Sequence, residues 1–103
     1  NKTMTKCYCL FIAPRLHQDT INTFWNSVRY EYEGKKQLIV PITIRQLITL
    51  LTGVKKLHEK AEALKSTQLA ALFDSCTNLN GVSSSIEWIP NINKCIENWV
   101  NNL

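Results

Sequence analysis

The chain has 103 residues, of which 45% are hydrophobic and 19% are charged, so we expect one small folded domain rather than a disordered chain. Its net charge of +4 favours an acidic partner such as nucleic acid without requiring one. No apolar stretch reaches the ~18 residues of a membrane-spanning helix and no signal-peptide pattern begins the chain, so a cytoplasmic protein without a membrane partner is predicted.

The first predicted element is a strand. An apolar run from Cys7 to Ala13 predicts a strand that is buried on both faces and that ends at Pro14. The predicted helix from Asp19 to Tyr30 follows a short polar segment, and Asp19 is expected to cap it. One apolar stripe supports this helix: Ile21, Phe24, Trp25 and Val28.

A second strand and helix follow a polar connection. The run Leu38 to Ile42 is rich in β-branched residues, and Pro41 within it predicts a strand at an edge of the sheet or an end to pairing. The segment Thr43–Gln46 has the pattern of a capping box, which predicts a helix from Ile44 to about Thr52. Gly53 is then expected to end that helix.

The second half of the chain is predicted to be helical. Its apolar stripe changes phase, so a break is expected near Ser66 and Thr67. A loop is predicted over 78–85, Pro90 is expected to disrupt the helix after it, and Trp88 is expected to be exposed. The element order is β-α-β-α-α-α, and two strands make a poor sheet alone, so we expect the chain to be a fragment of a larger protein or to borrow strands from a partner.

The four cysteines do not form a recognisable site. They lack the C-x₂-C spacing of zinc sites, and a buried reduced thiol is the commonest state of a cysteine outside secreted scaffolds. We interpret all four as reduced, buried thiols: Cys7, Cys9, Cys76 and Cys95.

One triplet matches a nuclease motif in its residue types but not in its predicted local structure. Glu33-Gly-Lys35 is an E-x-K triplet, and Asp19 lies upstream of it, as the first carboxylate of a metal-dependent nuclease would. However, the triplet lies on a glycine turn rather than on a rigid apolar strand. We therefore assign no catalytic and no metal-binding residue to this chain.

Four basic side chains are candidates for contact with DNA. Arg15 and His17 follow the end of the first strand, where ligand crevices form in open α/β sheets. Lys35 and Lys36 adjoin a turn and could reach phosphates. The alternative for Arg15 and His17 is a solvated loop that leads into a helix, because no nucleophile motif accompanies the histidine.

Three segments carry a resemblance to a known family. They are the FIAP strand (Phe11–Pro14), the D-T-x-x-x-F-W segment (Asp19–Trp25) and the V-P-I-T step from strand to helix (Val40–Thr43). Together they resemble the C-terminal part of the AlwI-like type IIS restriction endonucleases, over roughly Cys7 to Leu51. The helical tail beyond Leu51 matches no family that we can name.

The resemblance implies an α/β fold, namely a partial restriction-endonuclease-like core of two strands with a crossover helix, followed by a helical C-terminal half. Residues 1–53 would be the β-α-β-α portion of a nuclease core, and residues 54–103 a helical portion of the same domain or fragment. The family is magnesium-dependent, and its metal-binding acids and catalytic lysine precede the FIAP strand. We therefore expect Mg²⁺ in the complete enzyme, none bound by this chain, and no cleavage by this chain alone.

The resemblance also implies partners. Double-stranded DNA is the expected substrate, and the rest of the nuclease domain or a second protein chain is the expected protein partner, with a homodimer as a further option. The alternative function is a basic, mainly helical module that binds nucleic acid or protein without catalysis.

Overall fold

The computed structural model describes residues 8–30 and 37–103. Two parallel strands are followed by a helical second half, which confirms the predicted mixed α/β class. None of the helices in these ranges is long and apolar enough to cross a lipid bilayer. The elements are β1 (Tyr8–Ala13), α1 (Gln18–Arg29), β2 (Leu38–Thr43), α2 (Ile44–Glu59), α3 (Ser66–Thr77) and α4 (Ser85–Asn101).

The two strands form one parallel ladder whose ends coincide. Tyr8 pairs with Leu38 at one end and Ala13 pairs with Thr43 at the other. Pairing continues past Pro41, which is tolerated because, within residues 8–30 and 37–103, the sheet has two strands and each has a free edge. The carboxyl ends of both strands therefore meet at the same edge of the sheet.

Burial differs sharply between the strands. In β2, Val40 and Ile42 are almost completely inaccessible to solvent, whereas in β1 Cys9, Phe11 and Ile12 are exposed. The expectation that the first strand is buried on both faces is therefore wrong. The reason is the packing, because all four helices contact β2 while α2 is the main helical neighbour of β1.

The core lies between β2 and the faces of α1, α3 and α4. Trp88 is fully buried, its indole N–H donates a hydrogen bond to the Cys76 carbonyl at 3.1 Å, and its ring lies 5.6 Å from that of Trp25. The expectation that Trp88 is exposed is thus wrong. Because α4 is continuous, Trp88 falls on one stripe with Ile92 and Ile96, both of which are also buried.

Proline does not interrupt α4, contrary to the prediction. Pro90 lies inside the helix and is exposed. The carbonyl that would have accepted its missing N–H bond belongs to Ile86, which is 73% exposed, so water can satisfy that carbonyl. The helix begins at Ser85, and the side chain of the preceding Ser84 accepts a hydrogen bond from the Glu87 amide.

Gly53 lies in the middle of α2 rather than after its end, so the predicted helix end is wrong. A β-carbon at Gly53 would come within 3.0 Å of Leu103 and 3.1 Å of Val100. The glycine therefore permits the close approach of α2 to the end of α4. The chain instead leaves α2 after Glu59 and Lys60, where Ala61 adopts a left-handed conformation with φ of 60°.

Two further boundaries differ from the prediction. The break between helices covers 60–65, and Ser66 and Thr67 already belong to α3. His17, not Asp19, occupies the cap position of α1, and no side chain closes that cap. Asp19 lies in the first helical turn, where its charge favours the helix dipole.

Candidate nucleic-acid interface

Basic side chains follow both strands just beyond the carboxyl edge of the sheet. Ala13 and Thr43 are paired at this edge, and each strand is followed directly by polar sequence. Ligand crevices of open α/β sheets form at such edges. The residues that follow β1 and β2 are therefore the candidates for ligand contact.

Arg15 and His17 lie on the connection from β1 to α1, as the sequence predicted. Arg15 is two residues beyond the end of the strand, and both side chains are exposed. His17 contributes its backbone carbonyl to α1, accepting a hydrogen bond from the Ile21 amide at 3.0 Å. Its imidazole makes no capping bond, so it remains available at the surface.

Arg45 is a third basic residue at this edge, which the sequence analysis missed. It is the second residue of α2, two positions beyond Thr43, just as Arg15 is two positions beyond Ala13. Arg45 is exposed. Among residues 8–30 and 37–103, neither guanidinium has a hydrogen-bond or ion-pair partner. The parallel register thus places two unengaged guanidinium groups at equivalent positions.

Hydrogen bonds fix the beginning of α2, the helix turn that carries Arg45. Gln46 is buried, and its side-chain oxygen accepts a hydrogen bond from the Thr43 amide at 2.8 Å, while the Thr43 hydroxyl accepts one from the Gln46 amide. The Gln46 side-chain N–H also donates to Asn93 of α4 at 3.1 Å. This capping box confirms the predicted start of α2 and fixes the turn that presents Arg45.

The beginning of α1 is anchored to α4 in a similar way. The Gln18 side-chain N–H donates to Asn22 at 2.9 Å and to the Ser85 hydroxyl at 3.2 Å, and that hydroxyl donates to Asn22 at 2.6 Å. The starts of α1 and α2 each follow a strand that ends at this edge, and their unpaired amide N–H groups carry partial positive charge. Asp19 in the first turn of α1 partly offsets this positive field.

Arg29, unlike Arg15 and Arg45, has a guanidinium that contacts other side chains of the protein. Its guanidinium lies 4.5 Å from the Tyr30 ring and 5.3 Å from the Trp25 ring, and it donates a hydrogen bond to the Tyr30 hydroxyl at 2.6 Å. These contacts satisfy the guanidinium within the protein. Arg29 is therefore not part of the candidate interface.

Two of the four predicted DNA contacts cannot be placed. Lys35 and Lys36, like the Glu33-Gly-Lys35 triplet, lie outside the described residues. The candidate interface therefore consists of Arg15 and His17 from the sequence prediction and Arg45 from the structure.

The acidic residues that the structure describes do not fit a magnesium site. Nowhere in the described ranges do three or more His, Cys, Asp or Glu side chains gather closely enough to hold a metal ion. Asp19 is exposed on α1, and the Asp74 carboxylate on α3 accepts a hydrogen bond from the Tyr8 hydroxyl. Mg²⁺ needs several oxygen ligands around one point, which these separate groups do not supply.

Comparison with known proteins finds a similarity in the first 50 residues of the chain. Residues 1–50 match the sequence model of the AlwI restriction endonuclease family. No curated protein matches the chain. The matched region contains β1, α1, β2 and the start of α2, and with them Arg15, His17 and Arg45. It confirms the resemblance carried by the FIAP and V-P-I-T segments.

Proposed function

We propose that this chain, whose residues 1–50 match the AlwI restriction endonuclease family, serves Mg²⁺-dependent hydrolysis of double-stranded DNA by holding the DNA backbone at the carboxyl edge of its sheet. A restriction endonuclease family implies DNA as the substrate. The proposed contacts are Arg15, Arg45 and His17, with Lys35 and Lys36 as further predicted contacts.

The observation that carries this proposal is the pair of unengaged arginines at equivalent positions after the two paired strands. A guanidinium donates two parallel hydrogen bonds to a phosphate and keeps its charge at every physiological pH. Backbone contacts of this kind fix the register of a protein on the duplex without reading its sequence. The edge is therefore suited to positioning DNA rather than to recognising a particular site.

No catalytic step is assigned to the described residues. The metal-binding acids and the catalytic lysine remain a prediction from the resemblance, which places them ahead of the FIAP strand. The requirement for Mg²⁺, the type IIS class and the absence of cleavage by this chain alone are proposals of the same kind. Arg15 and Arg45 would then act by binding and orienting the duplex.

A protein partner is also proposed, either the rest of the nuclease domain or a second protein chain, with a homodimer as a further option. The support is a stripe of exposed apolar side chains on the outer face of α2. Its members, at helical spacing, are Ile44, Ile48 and Leu51. The same surface supports the alternative function, a protein-interaction module without catalysis, because large contiguous apolar patches mark interaction sites.

Titration of a fluorescently labelled DNA duplex with the full 103-residue chain tests the proposed function. We expect the affinity to fall steeply as salt rises. Arg15→Gln and Arg45→Gln should each weaken binding and reduce the slope of log affinity against log salt by about 1, since each removes one phosphate contact. The matched control is Lys55→Gln, which removes the same charge from an exposed position farther along α2.

Two results would contradict the proposal. If Lys55→Gln weakens binding as much as Arg15→Gln does, the effect is one of net charge and no defined interface exists. If the chain binds DNA no more tightly than it binds a neutral polymer, the protein-interaction alternative is favoured. Metal-dependent cleavage by the purified chain would separately overturn the assignment of the catalytic residues to the region ahead of the FIAP strand.

A further inference from the structure

Two cysteines from different helices meet in the second half of the molecule. Cys76 lies near the end of α3 and is fully buried, while Cys95 lies on α4 and is partly exposed. The two sulfur atoms lie close enough for each to shift the pKa of the other, and the Cys95 thiol donates a hydrogen bond at 3.7 Å to the carbonyl of Ser75, the residue before Cys76. Both sulfur atoms are unbridged.

The two thiols differ in their access to solvent. Cys95 lines an open pocket of about 250 Å³ between α3 and α4, together with Ser75 and Trp99. Cys76 lies behind it in the core beside Leu72. A reagent that enters the pocket therefore meets Cys95 first and reaches Cys76 only through it.

We infer that Cys76 and Cys95 are a reversible dithiol–disulfide pair which, when oxidised, clamps α3 to α4. The inference is independent of the proposed contact with DNA. The co-reactant is a small-molecule disulfide, one sulfur of which reaches Cys95 through the pocket. The interpretation of these two cysteines as simple core thiols, made from the sequence, does not include this chemistry.

The reaction proceeds by two exchanges. The Cys95 thiolate attacks one sulfur of the small-molecule disulfide and expels the other as a thiolate, which leaves a mixed disulfide on Cys95. Cys76 then loses its proton to solvent and attacks the Cys95 sulfur, which expels the second thiolate. Two protein S–H bonds are lost and one S–S bond forms, while the two electrons and two protons leave with the two small thiols.

Electrostatics supports this order of attack. Burial raises the pKa of Cys76 to about 12, and the neighbouring Cys95 sulfur adds to the effect. Burial also raises the pKa of Cys95, but the hydrogen bond from Cys76 and the charge of Lys94 act in the opposite direction. The Cys76 S–H group thus stabilises a thiolate on Cys95, so Cys95 is the first nucleophile and Cys76 resolves the mixed disulfide.

The test uses the full chain carrying Cys7→Ser and Cys9→Ser, so that only the two thiols in question remain. The protein is equilibrated in mixtures of oxidised and reduced glutathione, quenched with acid, alkylated and weighed by mass spectrometry. We expect a monomer that takes up neither alkylating agent nor glutathione, and that regains both thiols with dithiothreitol. Free thiols at every ratio, a lasting glutathione adduct, or a disulfide-linked dimer would each overturn the inference.

Two single variants and one stability measurement make the test specific. With Cys76→Ser in the same background, a glutathione adduct should accumulate on Cys95, because no thiol resolves it. With Cys95→Ser, Cys76 should stay free of adduct, because it is buried. The oxidised protein should unfold at a higher urea concentration than the reduced protein, and an equal or lower midpoint would show that the bond does not clamp the helices.

Discussion

The two strands of this protein have the same length, lie in one ladder and are both apolar, yet one is core and the other is surface. Ile12 of β1 and Ile42 of β2 are direct register partners, and their exposed fractions are 41% and 0%. All four helices pack on β2, while β1 has only partial cover from rings such as the Phe11–Phe24 and Tyr8–Phe73 pairs. A strand's burial is thus set by what packs on it and not by its own hydrophobicity.

Within this one sheet, β2 mainly stabilises the fold, whereas β1 presents side chains that can contact a partner. The core around β2 holds the fold and fixes the starts of α1 and α2, on which the candidate interface depends. The exposed side chains of β1 contribute less to the core that the structure shows. An apolar strand with an open edge is normally paired or covered, which agrees with the proposed protein partner.

The largest expected effect is a difference in the free energy of unfolding between variants of the register partners Ile42 and Ile12. Ile42→Ala should lower the free energy of unfolding by about 2–5 kcal/mol, because it leaves a cavity in the core. Ile12→Ala should cost less than about 1 kcal/mol, because much of that side chain already contacts water. Urea denaturation of both variants, followed by circular dichroism, measures the difference. Equal costs would show that β1 is as well packed as β2 and would remove the contrast between the strands.

The class and order of the elements could be predicted from the sequence because each element carries a local signal. The β-branched run, the capping box at Thr43 and the stripes of α1 and α4 were sufficient. The predictions at Gly53 and Pro90 were wrong because both relied on the local preference of one residue. In the structure, the close packing of α2 on α4 favours the glycine, and the buried stripe of α4 offsets the cost of the proline.

The candidate interface could be predicted only in part. Arg15 and His17 follow a recognisable strand end, and the structure places them at the sheet's carboxyl edge, although their contact with DNA stays a prediction. Arg45 was missed because it was regarded only as part of a capping box. The signal lies in the register, because two equal strands in parallel pairing end at the same edge of the sheet.

A smaller difference in the free energy of unfolding is expected between the start of α2, which lies against the core, and the start of α3, which lies at the surface. The Gln46 side chain accepts from Thr43 and also bridges to Asn93, whereas the Gln68 side chain accepts only from the Lys65 amide at 2.8 Å. Gln46→Ala should therefore cost about 1–2 kcal/mol, and Gln68→Ala about 0.5 kcal/mol, in the free energy of unfolding. Urea denaturation of the two variants measures both. A larger cost at Gln68 would mean that α3, not α2, depends more on its cap.

The smallest effect on stability is expected at the start of α4, where Glu87 lies at the surface. Its carboxylate accepts hydrogen bonds from the Ser83 hydroxyl at 2.7 Å and from the Ser83 amide at 3.0 Å, and these bonds lower the pKa of Glu87 below its ordinary value of 4.5. A lowered pKa in the folded state means that the ionised form stabilises the fold. This contribution is present above pH 4.5 and is lost as the pH falls through the folded pKa.

Glu87→Gln should therefore be slightly less stable than the natural chain at pH 7, and the difference should shrink as the pH is lowered below 4.5. Thermal unfolding between pH 3 and pH 7 measures this convergence. The control is Glu97→Gln, which removes the same charge later in α4, where a carboxylate does not favour the helix dipole. If both variants lose stability at pH 7 to the same extent, the cause is a change in net charge. If only Glu87→Gln does so, the bonds to Ser83 hold the start of α4, and with it the Gln18–Ser85 contact that anchors α1 beside the arginines.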